Sequence, residues 1–215
     1  MAGNNRLTRR QIMRGGLGAV ALVASAPLAA VGLTPAQTEG PFFPKKDQAD
    51  KDLDMTQVAG RSAPALGEVI NISGQVLDES GAPVAGALVD VWQANAAGRY
   101  DHEADTNPAA LDPNFQSWAR LVTDAEGRYR IKTIRPGHYP VREGWSRPPH
   151  IHFKVACRGY SEITTQMYFA GDPLNDVDLI WTKLSADERA SVTVAMAAEG
   201  DAAPSGRFDL VVRKI

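Results

Sequence analysis

Between residues 68 and 215 the chain alternates apolar and polar positions in short runs. EVINISGQVLDE, ALVDVWQAN, WARLVTD, RYRIKTI, HIHFKVAC, TTQMYFAGD, SVTVAM and RFDLVVRKI each read with period two. That period places successive side chains on opposite faces of a strand. The runs are rich in Val, Ile, Thr and aromatics, which suit a pleated, half-buried surface. Turn chemistry separates them: ESGAPVAG, DAEG and GDAAPSG. Only LSADERA, residues 184–190, has a helical pattern, and it is short. Seven or eight such strands predict an all-β fold, a two-sheet antiparallel β-sandwich spanning residues 68–215.

Two stretches inside that frame are too long for simple hairpins. Residues 95–117, NAAGRYDHEADTNPAALDPNFQS, and residues 135–149, RPGHYPVREGWSRPP, each carry a tyrosine. Loops of that length in a compact domain usually carry function. Upstream, residues 34–67 show no period; TEGPFFPKKDQADKDLDMTQVAG is charged and contains prolines. This segment is expected to wrap the sandwich as an N-terminal arm.

The first 33 residues differ from the rest. They hold no Asp or Glu, but carry Arg6, Arg9, Arg10 and Arg14, followed by the 18-residue uncharged run GLGAVALVASAPLAAVGL. A basic start, a weakly apolar run and small residues near its end describe an export signal, and TRRQIMR resembles the twin-arginine type. Pro27 and the run's weak hydrophobicity disfavour the alternative, a retained membrane anchor. The mature protein is expected in the periplasm or outside the cell, with no membrane partner once the signal is removed. The whole chain has 23 basic and 25 acidic residues; without the four arginines, 19 face 25, and the charge is near −6. Nucleic acid is therefore not an expected partner. Cys157 is the single cysteine, so no disulfide within the chain can brace the fold.

The candidate chemistry centres on RPPHIHF, residues 147–153. On a strand His150 and His152 project from one face, and Pro148 and Pro149 stiffen the approach. The pair alone fits either half of a metal site or two strand histidines. A thiolate from Cys157 falls on the opposite face. Carboxylates such as Asp101, Glu103 or Asp105 would suit zinc or ferrous iron. Tyr100 and Tyr139 would suit ferric iron, because a phenolate is a hard anionic donor and a trivalent ion favours loss of its proton.

GRYDHEADTNP, IRPGHYP, RPPHIHF and TQMYFAGDP, in this order, resemble the intradiol ring-cleavage dioxygenases, most closely the protocatechuate 3,4-dioxygenase-like members. TEGPFFP resembles the family's N-terminal arm, so the resemblance covers about residues 35–215. It implies a ferric ion, Fe(3+), held by Tyr100, Tyr139, His150 and His152, with Tyr139 and His152 axial. Tyr139 is implied to act also as a base, and Arg147 and Gln166 to flank the substrate. The implied reaction opens a small aromatic diol between its hydroxylated carbons with O2, giving a muconate-type diacid. Members of the family usually associate, so a homo-oligomer is expected.

Some positions depart from the pattern. Val141 stands where protocatechuate enzymes carry tryptophan, and His138 precedes the second tyrosine. Protocatechuate, catechol, hydroxyquinol and substituted catechols all stay open, and Trp145 is a candidate wall of the pocket. His102 and His138 are read as structural. The rival from another class is a non-catalytic exported transthyretin-like module, for which ISGQVLDESGAPVAGALVDVWQ speaks. It leaves both tyrosine loops and RPPHIHF without a reason.

Overall fold

The computed structural model describes residues 32–48 and 50–215. The expected export segment lies outside these residues, apart from Gly32 and Leu33. Most of the strands fall where the alternation places them: β1 (Val69–Asp78), β2 (Leu88–Trp92), β3 (Trp118–Val122), β4 (Arg128–Ile134), β7 (His150–Ala156) and β8 (Ile163–Phe169). Shorter pieces complete the set: β5 (Tyr139–Arg142), β6 (Trp145–Arg147), β9 (Thr193–Val194), β10 (Ser205–Arg207) and β11 (Leu210–Val212).

One sheet runs β3-β2-β7-β8-β9; the other is built on β1, with β4 on one edge and β10 then β11 on the other. A two-stranded hairpin, β5-β6, stands apart. The all-β sandwich is as expected, but its sheets are mixed. β10 and β11 run parallel to β1, and β9 runs parallel to β8. Alternation specifies faces and not direction. A parallel pair also needs a long crossover, which the many residues between β1 and β10 supply.

SVTVAM, expected as a strand, is divided. The Ser185 hydroxyl accepts from the Glu188 N–H while Glu188 caps Ser185 in return, and this capping box launches helix α1 (Ala186–Val192). The helix consumes Ser191 and Val192 and leaves two residues for β9.

Strand alternation separates packing from chemistry. Ile151, Phe153 and Val155 of β7, with Val89 and Val91 of β2 and Met167 and Phe169 of β8, enter the sandwich core. Each large side chain buried there stabilises the fold by about 1.5–3 kcal/mol. The paired residues Trp92, His152 and Gln166 therefore share the outer face of the five-stranded sheet. A second small cluster covers that face: Trp92, Ala94, Tyr100 and Trp118, with Phe42, Phe43 and Tyr139 packed on it.

The arm reaches both sheets. The Gln37 N–H donates to the Thr164 carbonyl at 2.8 Å; the Met55 N–H donates to the Lys132 carbonyl, and the Lys132 N–H to the Leu53 carbonyl, each at 2.8 Å. Thr34 and Val211 bond reciprocally, the Val211 N–H donating to the Thr34 hydroxyl at 2.7 Å.

Candidate metal centre

His150 and His152 stand on β7, a strand hydrogen-bonded on both sides. They are 2% and 3% exposed, with ring centroids 4.9 Å apart. His150 Nδ1 lies 2.7 Å from the Pro148 carbonyl. A carbonyl can only accept, so Nδ1 carries the proton and Nε2 keeps its lone pair. Nε2 faces the Tyr100 hydroxyl at 3.3 Å. His152 is oriented differently, by an indole: Trp92 stacks on it at 4.6 Å and 12°. Its Nδ1 is buried and has no hydrogen-bond partner among the described residues.

The tyrosines come from the two long loops. Asn95 governs the first: its Oδ1 accepts from the N–H groups of Ala97 and Arg99, and its Nδ2 donates to the Ala110 carbonyl. Asp105 accepts from the Tyr100 N–H at 2.7 Å and from the Asn107 N–H at 2.8 Å. Phe42 of the arm stacks on the Tyr100 ring at 4.6 Å. Tyr139 begins β5, opposite Arg147 of β6. The loops touch backbone to backbone: Gly98, at φ +78°, lies against the His138 carbonyl, and Gly137 lies against Ala96. A Cβ at Gly98 would collide with that carbonyl, so glycine permits the approach. It brings the Tyr100 and Tyr139 rings to 5.5 Å, edge to face, and Tyr139 lies 5.7 Å from His150.

A cleft of about 500 Å³ opens over this cluster, with Tyr139, Val141, Trp145, Arg147 and Ile180 among its lining residues. Arg147 is 5% exposed. Its Nη2 donates to Gln166 Oε1 at 2.5 Å and to the Tyr168 hydroxyl at 3.3 Å, and its Nε lies 2.9 Å from Asp178 Oδ1. Gln166 is fully buried behind Arg147, donates to the Thr38 carbonyl at 2.9 Å, and is not in the cleft wall. From there it supports the guanidinium.

The electrostatics resist charge on all four candidate ligands. Burial, reinforced by the Arg147 cation, holds both histidines well below the ordinary imidazole range, so they are neutral. Burial raises Tyr100 well above the usual phenol value, and raises Tyr139 too, although Arg147 opposes the rise in both. Neutral imidazole is the metal-binding form, and a trivalent cation is what would offset the cost of two phenolates here. The donor set and the unpartnered His152 nitrogen fit such an ion.

The carboxylate alternatives are not brought to the histidines. Among the described residues no three His, Cys, Asp or Glu side chains gather around a common point. Asp105 is occupied by backbone N–H groups, and Glu103 faces Lys45 and Lys46 at the surface. His138 is exposed, and His102 Nδ1 accepts from the Ala104 N–H at 3.1 Å.

Known proteins share this arrangement of strands and loops. The family described as Dioxygenase matches residues 38–214. The chain is 44% identical over 180 residues to the protocatechuate 3,4-dioxygenase beta chain of Burkholderia cepacia, covering 80% of this chain and 76% of that one. The chain belongs to the intradiol ring-cleavage dioxygenases.

This dioxygenase, an oxidoreductase, is also 32% identical over 162 residues to a catechol 1,2-dioxygenase of Acinetobacter baylyi, covering 67% of this chain and 50% of the relative. It thus spans half the length of that protein. Among solved structures, the dioxygenase domain of a carbohydrate-binding fusion from Streptomyces sp. SirexAA-E has a TM-score of 0.65 at 28% identity. That match covers 86% of this chain and all of the other.

The structure adds residues to the dioxygenase site that the sequence did not single out. Trp92 packs on one histidine, Tyr168 and Asp178 hold Arg147, and Gln37 accepts from the Tyr168 hydroxyl at 2.9 Å. Strand register could have found Trp92 and Tyr168, which pair with His152 and His150. PLNDVDLIWTK gives Asp178 no periodic signal.

Proposed function

We propose that this dioxygenase is a non-haem ferric enzyme that opens a catechol-type substrate between its two hydroxylated carbons with O2, giving a muconate-type diacid. The observation that carries the reading is the meeting of two phenols and two neutral imidazoles beneath a cleft that also exposes a buried arginine. Tyr100, Tyr139, His150 and His152 would hold the iron. When bound, ferric iron draws electron density from a chelated catechol and makes its ring reactive toward O2.

The chain's own groups divide the remaining work. Tyr139 lines the cleft and is half-buried, so it is the phenol able to exchange a proton with an entering diol. Tyr100 is sealed beneath Phe42 and serves only to hold the metal. Arg147 presents positive charge where the substrate's oxygens lose their protons. The cleft suits one aromatic ring. Relatives are named for protocatechuate, catechol and hydroxyquinol, and Val141, half of it exposed, leaves room for a ring substituent. Export by a twin-arginine route, read from the first 33 residues, belongs to the same proposal and is checked by cell fractionation.

Purified protein reconstituted with ferric iron is expected to be red-brown from phenolate-to-iron charge transfer. Tyr100→Phe and Tyr139→Phe should each shift that band, and oxygen uptake across a panel of catechols should identify the substrate. Colourless iron-loaded protein, or two spectrally silent variants, would sink the reading.

A further inference from the structure

Asp178 is fully buried, yet it lies between two short 3₁₀ turns, Asn175–Val177 and Trp181–Lys183, with no strand to hold it. Its carboxylate is nevertheless saturated from both sides. Oδ1 meets Arg147 Nε at 2.9 Å and accepts from Trp145 Nε1 at 3.2 Å; Oδ2 accepts from the Trp181 N–H at 3.0 Å. The Thr182 hydroxyl and N–H both donate to the Asp178 carbonyl, at 2.6 Å and 3.0 Å. Arg147 is thus ion-paired with Asp178 on its Nε side, without a well-directed hydrogen bond there, and hydrogen-bonded at Nη2 to Gln166 and Tyr168. Among the described residues its Nη1 makes no hydrogen bond, and Arg147 and Trp145 both line the cleft.

We infer that Asp178 is a positioning residue: one buried carboxylate fixes the Arg147 fork, leaving Nη1 for the substrate, and sets the Trp145 ring as the adjoining wall. The inference rests on the proposed role of Arg147. An unpaired guanidinium on a long stem samples many rotamers, whereas one hydrogen-bonded at Nη2 and ion-paired beside Nε presents Nη1 at a fixed place. A buried carboxylate beside the guanidinium also keeps the cation charged inside the protein.

The test is a double-mutant cycle on the iron-loaded enzyme. Its readouts are kcat/KM and, by titration calorimetry, the dissociation constant of a monohydric phenol that cannot be cleaved. Asp178→Asn should weaken phenol binding and lower kcat/KM on the order of tenfold, and in an Arg147→Gln background should weaken phenol binding less than twofold. Thr182→Val, which loosens the Asp178 backbone and keeps the charge, should show the same pattern at roughly threefold and covers the case in which Asp178→Asn does not fold. Equal losses in both backgrounds, or no loss in the parent, overturn the inference. Wild-type protein without a charge-transfer band would instead overturn the ferric reading, while calorimetry still reports the coupling.

Discussion

The two halves of the candidate metal centre are built on different principles. The histidines rise from a central strand, so sheet hydrogen bonds and the core-facing Ile151 and Phe153 fix their backbone. Tyr100 hangs from a loop fixed by polar side chains, chiefly Asn95 and Asp105, Tyr139 begins the small β5-β6 hairpin outside the main sheets, and one backbone crossing at Gly98 and Gly137 joins the two segments. A strand makes ligand spacing a property of pleat geometry. A loop makes it a property of a few particular hydrogen bonds. The tyrosine half should therefore be the more fragile, and three experiments probe that difference.

The largest effect is expected at the crossing. Gly98→Ala forces a Cβ into the His138 carbonyl at a positive φ and should cost roughly 3 kcal/mol in denaturant unfolding, with loss of the tyrosinate band. If the variant keeps both its stability and its colour, the loops do not depend on that contact.

Next comes pH, which should separate the halves in metal-free protein. The folded histidines titrate below their ordinary value of 6.5, so the unfolded chain binds protons first. Stability is complete above pH 6.5 and falls as pH drops below it, by about 1.4 kcal/mol per pH unit for each histidine. The phenols are displaced upward from 10, so their contribution is complete below pH 10 and is lost as pH rises beyond it. Tyr129 and Tyr168 add to that alkaline limb. His150→Gln should lessen the slope of only the acid limb and Tyr139→Phe that of only the alkaline one, in unfolding curves taken across pH.

The smallest change is Asp105→Asn. It weakens the bonds to the Tyr100 and Asn107 N–H groups and should cost about 1 kcal/mol. It should shift the charge-transfer band without releasing iron, as measured by absorption and metal analysis.

The same contrast explains what could be read from the sequence. β1 and β4 alternate buried and exposed positions along their length, and the pattern that revealed them also put His150 and His152 on one face. Local pattern says nothing about partners far along the chain, so the parallel docking of β10 and β11 on β1 went unseen. The hairpin β5-β6 was hidden for another reason: YPVR is exposed almost throughout and carries no apolar period. Tyr100 and Tyr139 stood out as the tyrosines of two long loops, but only the family's motifs favoured them over the carboxylates as ligands. Asp178 was not legible at all, because its importance lies in contacts with Arg147 and Trp145 that a charged residue in an aperiodic stretch does not announce.

The arm carries a consequence in time. Gln37 bonds partners 128 and 131 positions away, and Thr34 closes on Val211 across 177. Contacts spanning such distances lose chain entropy before they return any stability, which places them late in folding. The Phe42 cover over Tyr100 is therefore expected to form only when nearly the whole polypeptide has been synthesised and docked. On the proposed ferric reading, an ion entering this pocket would meet a finished protein and select its place there instead of guiding the chain toward it.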